Sequence, residues 1–284
     1  MAGSFFVAVG LGWAHTENMR YVFLLFLFFT SPAFALEWTT GQFTQGGFAV
    51  GKATPGSKLM LGDETVKVAP DGTFVLGFER HFPKTAKLVA TLPDGSTQTL
   101  THAISKRTYK TQHIKGVPPK TVNPDPAEVT RAQTEAAEIK KARAPFTENL
   151  LPMGQFLRPA EGPFSGVYGS RRTYNGEERN WHKGLDIAAP TGTPAYTPAD
   201  AKVSLVLPNT FFNGNMVVLD HGHQLFSVFC HLSRIDVKNG QNLKAGDLVG
   251  AIGATGRATG PHLHWGVYWR NMALDPALFL KEHE

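Results

Sequence analysis

Hydrophobic positions along this chain fall into three textures. From Leu36 to about Lys110 they come in short β-rich runs: Lys58-Leu59-Met60-Leu61, Val66-Lys67-Val68, Thr73-Phe74-Val75-Leu76 and Lys87-Leu88-Val89-Ala90. Pro70-Asp71-Gly72 and Pro93-Asp94-Gly95-Ser96 supply turn chemistry between runs, so the spacing predicts hairpins in a small β-sandwich. Beyond Gly116-Val117-Pro118-Pro119, the segment Asp125-Pro126-Ala127-Glu128 reads as a helix start, with an Asp cap, Pro at the first helical position and Glu at the third. The stretch to Arg143 carries a thin apolar stripe at Val129, Ala132, Ala136 and Ile139, the width of a contact with a neighbouring domain. A regulatory cover over an active site would have the same pattern. After Pro145 the chain returns to glycine-punctuated strands. The expected fold is therefore mainly β: a small sandwich-like domain over 36–112, a linker and helix over 113–146, and a second β domain over 147–284.

Upstream, Met19-Arg20 precedes the apolar run Tyr21–Phe29 and the small-residue site Ala33-Phe34-Ala35. This is the layout of a secretory signal peptide, predicted over 1–35 with Met19 as a candidate true start. The run is about half the ~20 residues a spanning helix needs, and no Cys follows the cleavage site to carry a lipid. The competing reading joins Phe5–Trp13 and Tyr21–Phe29 into an uncleaved signal anchor in the inner membrane. Both readings export the remainder.

Composition narrows the chemistry. With 42% hydrophobic and 18% charged residues in 284, a packed core is expected and wholesale disorder is not. The net charge of +5 suits polyanionic surroundings, yet no Lys/Arg cluster is dense enough to argue for nucleic acid, and none is expected as partner. Cys230 is the single cysteine, which excludes an intrachain disulfide framework and a Cys-rich metal site.

Six of the eleven histidines fall between His182 and His264. Hydrolytic zinc sites take three ligands from His and carboxylate and leave a position open. His182 and Asp186 lie four residues apart, a spacing that is common by chance. His262 and His264 share one face if Pro261–Val267 is a strand, although an isolated pair of this kind can be a surface feature. His231 ends a mostly apolar strand, where alternation sends Phe229 and His231 to one side and Cys230 to the other. That arrangement argues against a Cys230–His231 thiolate dyad. His81 and His102 have no partners at ligand spacing.

Taken together, the ordered motifs His182-Lys183-Gly184-Leu185-Asp186, Phe229-Cys230-His231-Leu232-Ser233 and Thr255-Gly256-Arg257-Ala258-Thr259-Gly260-Pro261-His262-Leu263-His264 resemble the lysostaphin/LytM-type zinc metallopeptidases. The resemblance covers roughly residues 150–280 and includes Val167-Tyr168-Gly169-Ser170-Arg171 and Asp220-His221-Gly222. It implies a compact antiparallel β catalytic domain of LytM type with one zinc ion in an open groove, held by His182, Asp186 and His264. It implies that His231 and His262 assist catalysis, His262 as general base. His221 and His223 match no role, and Phe229 stands where the family often has Tyr. The implied activity is endopeptidase cleavage of peptidoglycan cross-links, D-alanine to diaminopimelate, by a monomer in a Gram-negative periplasm, with room for a regulatory protein. A non-catalytic LytM-fold activator of a wall amidase, a glycyl-glycine endopeptidase and a wall-binding structural protein are the alternatives. Relatives of the first kind typically lack the ligands present here.

Overall fold

A computed structural model describes residues 36–148 and 156–281, so the predicted signal peptide lies outside the described residues. The chain enters through β1 (Glu37–Gly41), β2 (Phe48–Lys52), β3 (Lys58–Leu61), β4 (Glu64–Val66), β5 (Thr73–Gly77), β6 (Thr85–Thr91) and β7 (Thr97–Ala103). β1, β2 and β5 make one antiparallel sheet and β4-β3-β6-β7 the other, as the predicted sandwich requires. In β6 the pleat sends Ala86, Leu88 and Ala90 inward and Thr85, Lys87 and Thr91 to solvent. β2 and β5 are buried on both faces, and without alternation β2 left no period-2 signal to read.

The outer face of the β1-β2-β5 sheet is covered by the C-terminal half. A single hydrophobic core takes in Phe48, Phe74 and Leu88 together with Phe229, Trp265 and Phe279. Phe48 and Phe279 stack with ring centroids 4.3 Å apart. Gly77 permits the close approach, since a Cβ there would lie 2.9 Å from Cβ of Trp269.

Next come β8 (Thr111–Ile114), α1 (Pro119–Val122), α2 (Pro126–Ala142), β9 (Phe164–Gly166), β10 (Arg171–Tyr174) and β11 (Glu177–Arg179). β8 straddles the expected start of the linker and runs parallel to β10, aligning Gln112 with Arg172. The helix begins as its cap predicts: the Asp125 carboxylate accepts from the Glu128 N–H at 2.9 Å. Only the C-terminal end of its stripe is buried. Ile139 packs with Met216, Val218, Phe226 and Val228, whereas Val129 is exposed.

β12 (Leu185–Ala188), β13 (Pro194–Tyr196), β14 (Ala201–Thr210), β15 (Gly214–Asp220), β16 (Leu225–Ile235), β17 (Asn242–Leu243), β18 (Leu248–Ile252), β19 (His262–Trp269) and β20 (Met272–Leu274) complete the strands. Their main sheet runs β17-β14-β15-β16-β19-β12-β9, antiparallel throughout. Among the described residues no helix is long and apolar enough to cross a membrane.

Candidate active site

Register assembles the site. β12 and β19 pair so that Asp186 lies directly opposite His264, and their Oδ1 and Nδ1 atoms come within 2.9 Å. His182 reaches the same point from the loop before β12, with Nε2 3.0 Å from Asp186 Oδ1 and 2.9 Å from His264 Nδ1. Its backbone is clamped on both sides, by His182 N–H donating to Ser170 O and Gly169 N–H donating to His182 O. Arg80 extends that clamp into the sandwich, its Nε donating to Gly169 O at 2.8 Å. Two glycines leave room for the ligands. A Cβ on Gly184 would lie 2.7 Å from His264 Cε1, and one on Gly166 2.3 Å from Asp186 Oδ2.

The backbone also sets the tautomers. Nδ1 of His182 faces Val167 O at 3.1 Å, Nδ1 of His231 faces Thr255 O at 2.8 Å, and Nδ1 of His262 faces Gly260 O at 2.9 Å. A carbonyl only accepts, so in each ring Nδ1 carries the proton and Nε2 offers a lone pair to the groove. At the His182–Asp186–His264 junction, His182 Nε2, Asp186 Oδ1 and His264 Nδ1 lie within about 3 Å of one another, close enough for the three to share one cation. Two imidazoles and a carboxylate are a catalytic zinc donor set, and backbone carbonyls orienting the ligand rings are its usual support.

Electrostatics agree with neutral His182 and His231 rings beside a charged carboxylate. Burial pushes His182 down to about 4. Burial opposes the charge on Asp186, but the surrounding histidines, His182 first, outweigh it and hold the carboxyl well below the usual range. Arg172 Nη2 donates to Asp186 Oδ2 at 2.6 Å. Burial, with His262 and His264 nearby, pushes His231 down to about 3.

The His231 and His262 rings lie 4.7 Å apart, and His262 Nε2 is 3.9 Å from Asp186 Oδ1. All five predicted site residues thus line one groove of about 610 Å³. One sequence inference needs correction: Phe229 and His231 do not share a face. Phe229 lies in the main core, while a register shift between Phe229 and Leu232 and a left-handed backbone at His231 (φ 64°) turn the imidazole to the groove. Cys230 is buried among apolar neighbours, and burial pushes its thiol up, so it offers no nucleophile. His221 is structural: Nδ1–H donates to Asp200 O at 2.9 Å and Nε2 accepts from Ser227 at 2.8 Å. His223 is buried too. Arg172 carried no signal in the sequence, because it lies on the separate β11-β10-β8 sheet and meets Asp186 only where that sheet packs beside the main one.

Residues 180–276, which contain the complete donor set, match the sequence profile of Peptidase family M23. A crystal structure of a peptidase M23 from Pseudomonas aeruginosa superposes with a TM-score of 0.66 at 31% identity, covering 85% of this chain and 96% of that one. The chain belongs to peptidase family M23. Two Vibrio cholerae serotype O1 proteins of similar sequence are named peptidoglycan DD-endopeptidases. ShyA is 46% identical over 84 residues, 30% of this chain and 19% of ShyA. ShyB is 43% identical over 94 residues, 33% of this chain and 22% of ShyB. The similar segment thus spans only about a fifth of either relative's length. Within this M23 chain, the profile match over residues 180–276 takes in His182, Asp186, His231, His262 and His264.

Proposed function

We propose that this M23 chain is a zinc-dependent endopeptidase that hydrolyses peptide cross-links of peptidoglycan, the D-alanine to diaminopimelate bond, outside the cytoplasm. The observation that carries the reading is the convergence of His182 Nε2, Asp186 Oδ1 and His264 Nδ1 beside two further imidazoles that present free Nε2 atoms. The names of the Vibrio relatives support the wall substrate. The complete donor set speaks against a non-catalytic activator.

In this reading His182, Asp186 and His264 hold the ion. Bound zinc supplies Lewis acidity, which lowers the pKa of water and polarises a scissile carbonyl. His262 is half-buried and near the Asp186 carboxylate, so it takes the proton of the attacking water at Nε2 and passes it to the departing amine as the C–N bond breaks and the C–O bond forms. His231 resists protonation because it is buried. With Nδ1–H committed to Thr255, its Nε2 can only accept, which suits the N–H of the amine rather than an oxyanion. An open groove admits a branched stem peptide that an enclosed pocket would refuse.

Digestion of diaminopimelate-type sacculi tests this, with wild type, a His264→Ala variant and a chelated control, followed by mass analysis of the released muropeptides. Loss of cross-linked dimers in zinc-loaded wild type alone is expected. Intact cross-links after incubation with folded, zinc-loaded protein would sink the proposal.

A further inference from the structure

The groove holds a guanidinium that neither the metal site nor the fold neutralises. Among the charged side chains lining it, Arg172 is paired with Asp186 and Arg179 with Glu177, while Lys183 lies over the Trp181 ring with Nζ 5.8 Å from its centroid. Glu135 is taken up by Arg131 and by the Phe211 N–H. Arg257 is half-buried and has no acidic partner among the described residues. Its flat side chain lies against two rings, with the guanidinium carbon 4.3 Å from the Phe212 centroid and 5.0 Å from that of Tyr174. Of its five side-chain N–H donors, only Nη1 meets an acceptor among the described residues, Thr121 O at 3.3 Å. Arg257 is one of the side chains that line the groove. Burial, together with Arg172 and Arg179, works against the charge, so an anion brought here would be bound by a pre-oriented, partly desolvated fork.

Position says which part of a substrate that anion belongs to. Arg257 sits on the loop joining β18 to β19, pinned by its N–H to Phe212 O at 2.9 Å. Two residues earlier, Thr255 O accepts from His231 Nδ1. The loop that carries the guanidinium therefore also orients the imidazole assigned above to the departing amine. In a diaminopimelate cross-link, the carbon bearing that amine nitrogen also bears a carboxyl group that takes no part in the chain. An ordinary peptide has an amide carbonyl at this point.

We propose that Arg257 binds the free carboxylate on the amine side of the scissile bond and makes the enzyme select cross-links that carry it. This rests on the wall-endopeptidase reading above. The consequence is discrimination by charge: the same cross-link with that carboxyl converted to carboxamide offers the fork no anion.

The test compares kcat/KM of the full, zinc-loaded chain on two purified cross-linked muropeptides, one with the free carboxylate and one with the carboxamide. Wild type is expected to prefer the carboxylate by roughly 10- to 100-fold, the range of a charge-assisted hydrogen bond. Arg257→Gln should slow only the carboxylate substrate and so erase the preference, and Arg257→Lys should retain part of it. Zinc content and thermal unfolding of each variant report folding. If Arg257→Gln slowed both substrates equally, Arg257 would be a strut between α1 and the groove loop and the assignment would fall. Equal cleavage of both substrates by wild type would likewise overturn it and leave the endopeptidase reading standing. Cleavage of neither would overturn both.

Discussion

Arg172 Nη2 lies 2.6 Å from Oδ2 of Asp186, the carboxylate oxygen turned away from His182 and His264. The same side chain is steadied from β8, where its Nε donates to Gln112 Oε1 at 3.2 Å. Outer partners of this kind fix ligand orientation and affect metal binding by about 10- to 100-fold. Arg172→Ala is therefore expected to weaken zinc by about that factor while the protein stays folded, as read by competition against a chromogenic chelator. An unchanged affinity would mean that Asp186 is oriented by its strand alone.

Gly184 makes a sterically sharper case. A Cβ there would meet Trp265 O at 2.6 Å and His264 Cε1 at 2.7 Å. Gly184→Ala must push either β19 or the His264 ring, so zinc content should fall and activity on sacculi should fall with it. Gly176 provides the control, because a Cβ there meets nothing within 4 Å. The Gly176→Asn substitution, suited to its positive φ, should leave both properties intact.

Acid should destabilise the fold through His221. Burial holds this imidazole at about 4 against an ordinary 6.5, and it is neutral in the native state. As pH falls below 6.5 the unfolded chain takes up a proton that the folded chain refuses, so stability present above 6.5 is lost progressively down to about 4. At 1.36 kcal/mol for each pH unit, the contribution is about 3 kcal/mol. Urea unfolding of chelated protein between pH 7.5 and 4 should show a shallower pH dependence in His221→Gln than in wild type. Parallel curves would show that the buried imidazole is not the acid-sensitive group.

The helix α2 forms a wall of the groove, with Ala132, Glu135 and Ala136 on its lining. It is fastened there by Ile139 in the core and by Glu135 accepting from the Phe211 N–H at 2.9 Å. Ala136→Trp adds bulk on an exposed groove-facing position, at a helix-propensity cost of about half a kcal/mol. The expected result is a raised KM for cross-linked muropeptides with zinc affinity unchanged. An unaltered KM would mean that substrate does not pass along this wall.

Spacing makes one part of this site legible, whereas the set His182, Asp186 and His264 comes only as what the family resemblance implies. His262 and His264 point to one groove since a strand has period two. Asp125, Pro126 and Glu128 capped a helix where they were expected to. His231 defeated the same alternation, because a left-handed residue inside a strand reverses the side on which its side chain emerges. The pairing of Arg172 with Asp186 was hidden for a different reason. It crosses from the β11-β10-β8 sheet to Asp186 on the main sheet, a packing that no local pattern encodes. The joint core was hidden as well, since Phe48 and Phe279 each look like ordinary buried residues until the fold stacks them.

That stack bears on how the chain can be cut. A fragment beginning at residue 147 would retain every histidine of the groove, yet it would carry Trp269, Leu274 and Phe279 without the Phe48 and Gly77 surfaces that now cover them. Such a piece would be born with an oily plate on its back, drawn to its own copies before it met any cell wall. It would also lose the Arg80 tether to Gly169 that steadies the His182 loop. The small N-terminal sandwich thus shields an apolar face of the main sheet and buttresses the loop that carries His182.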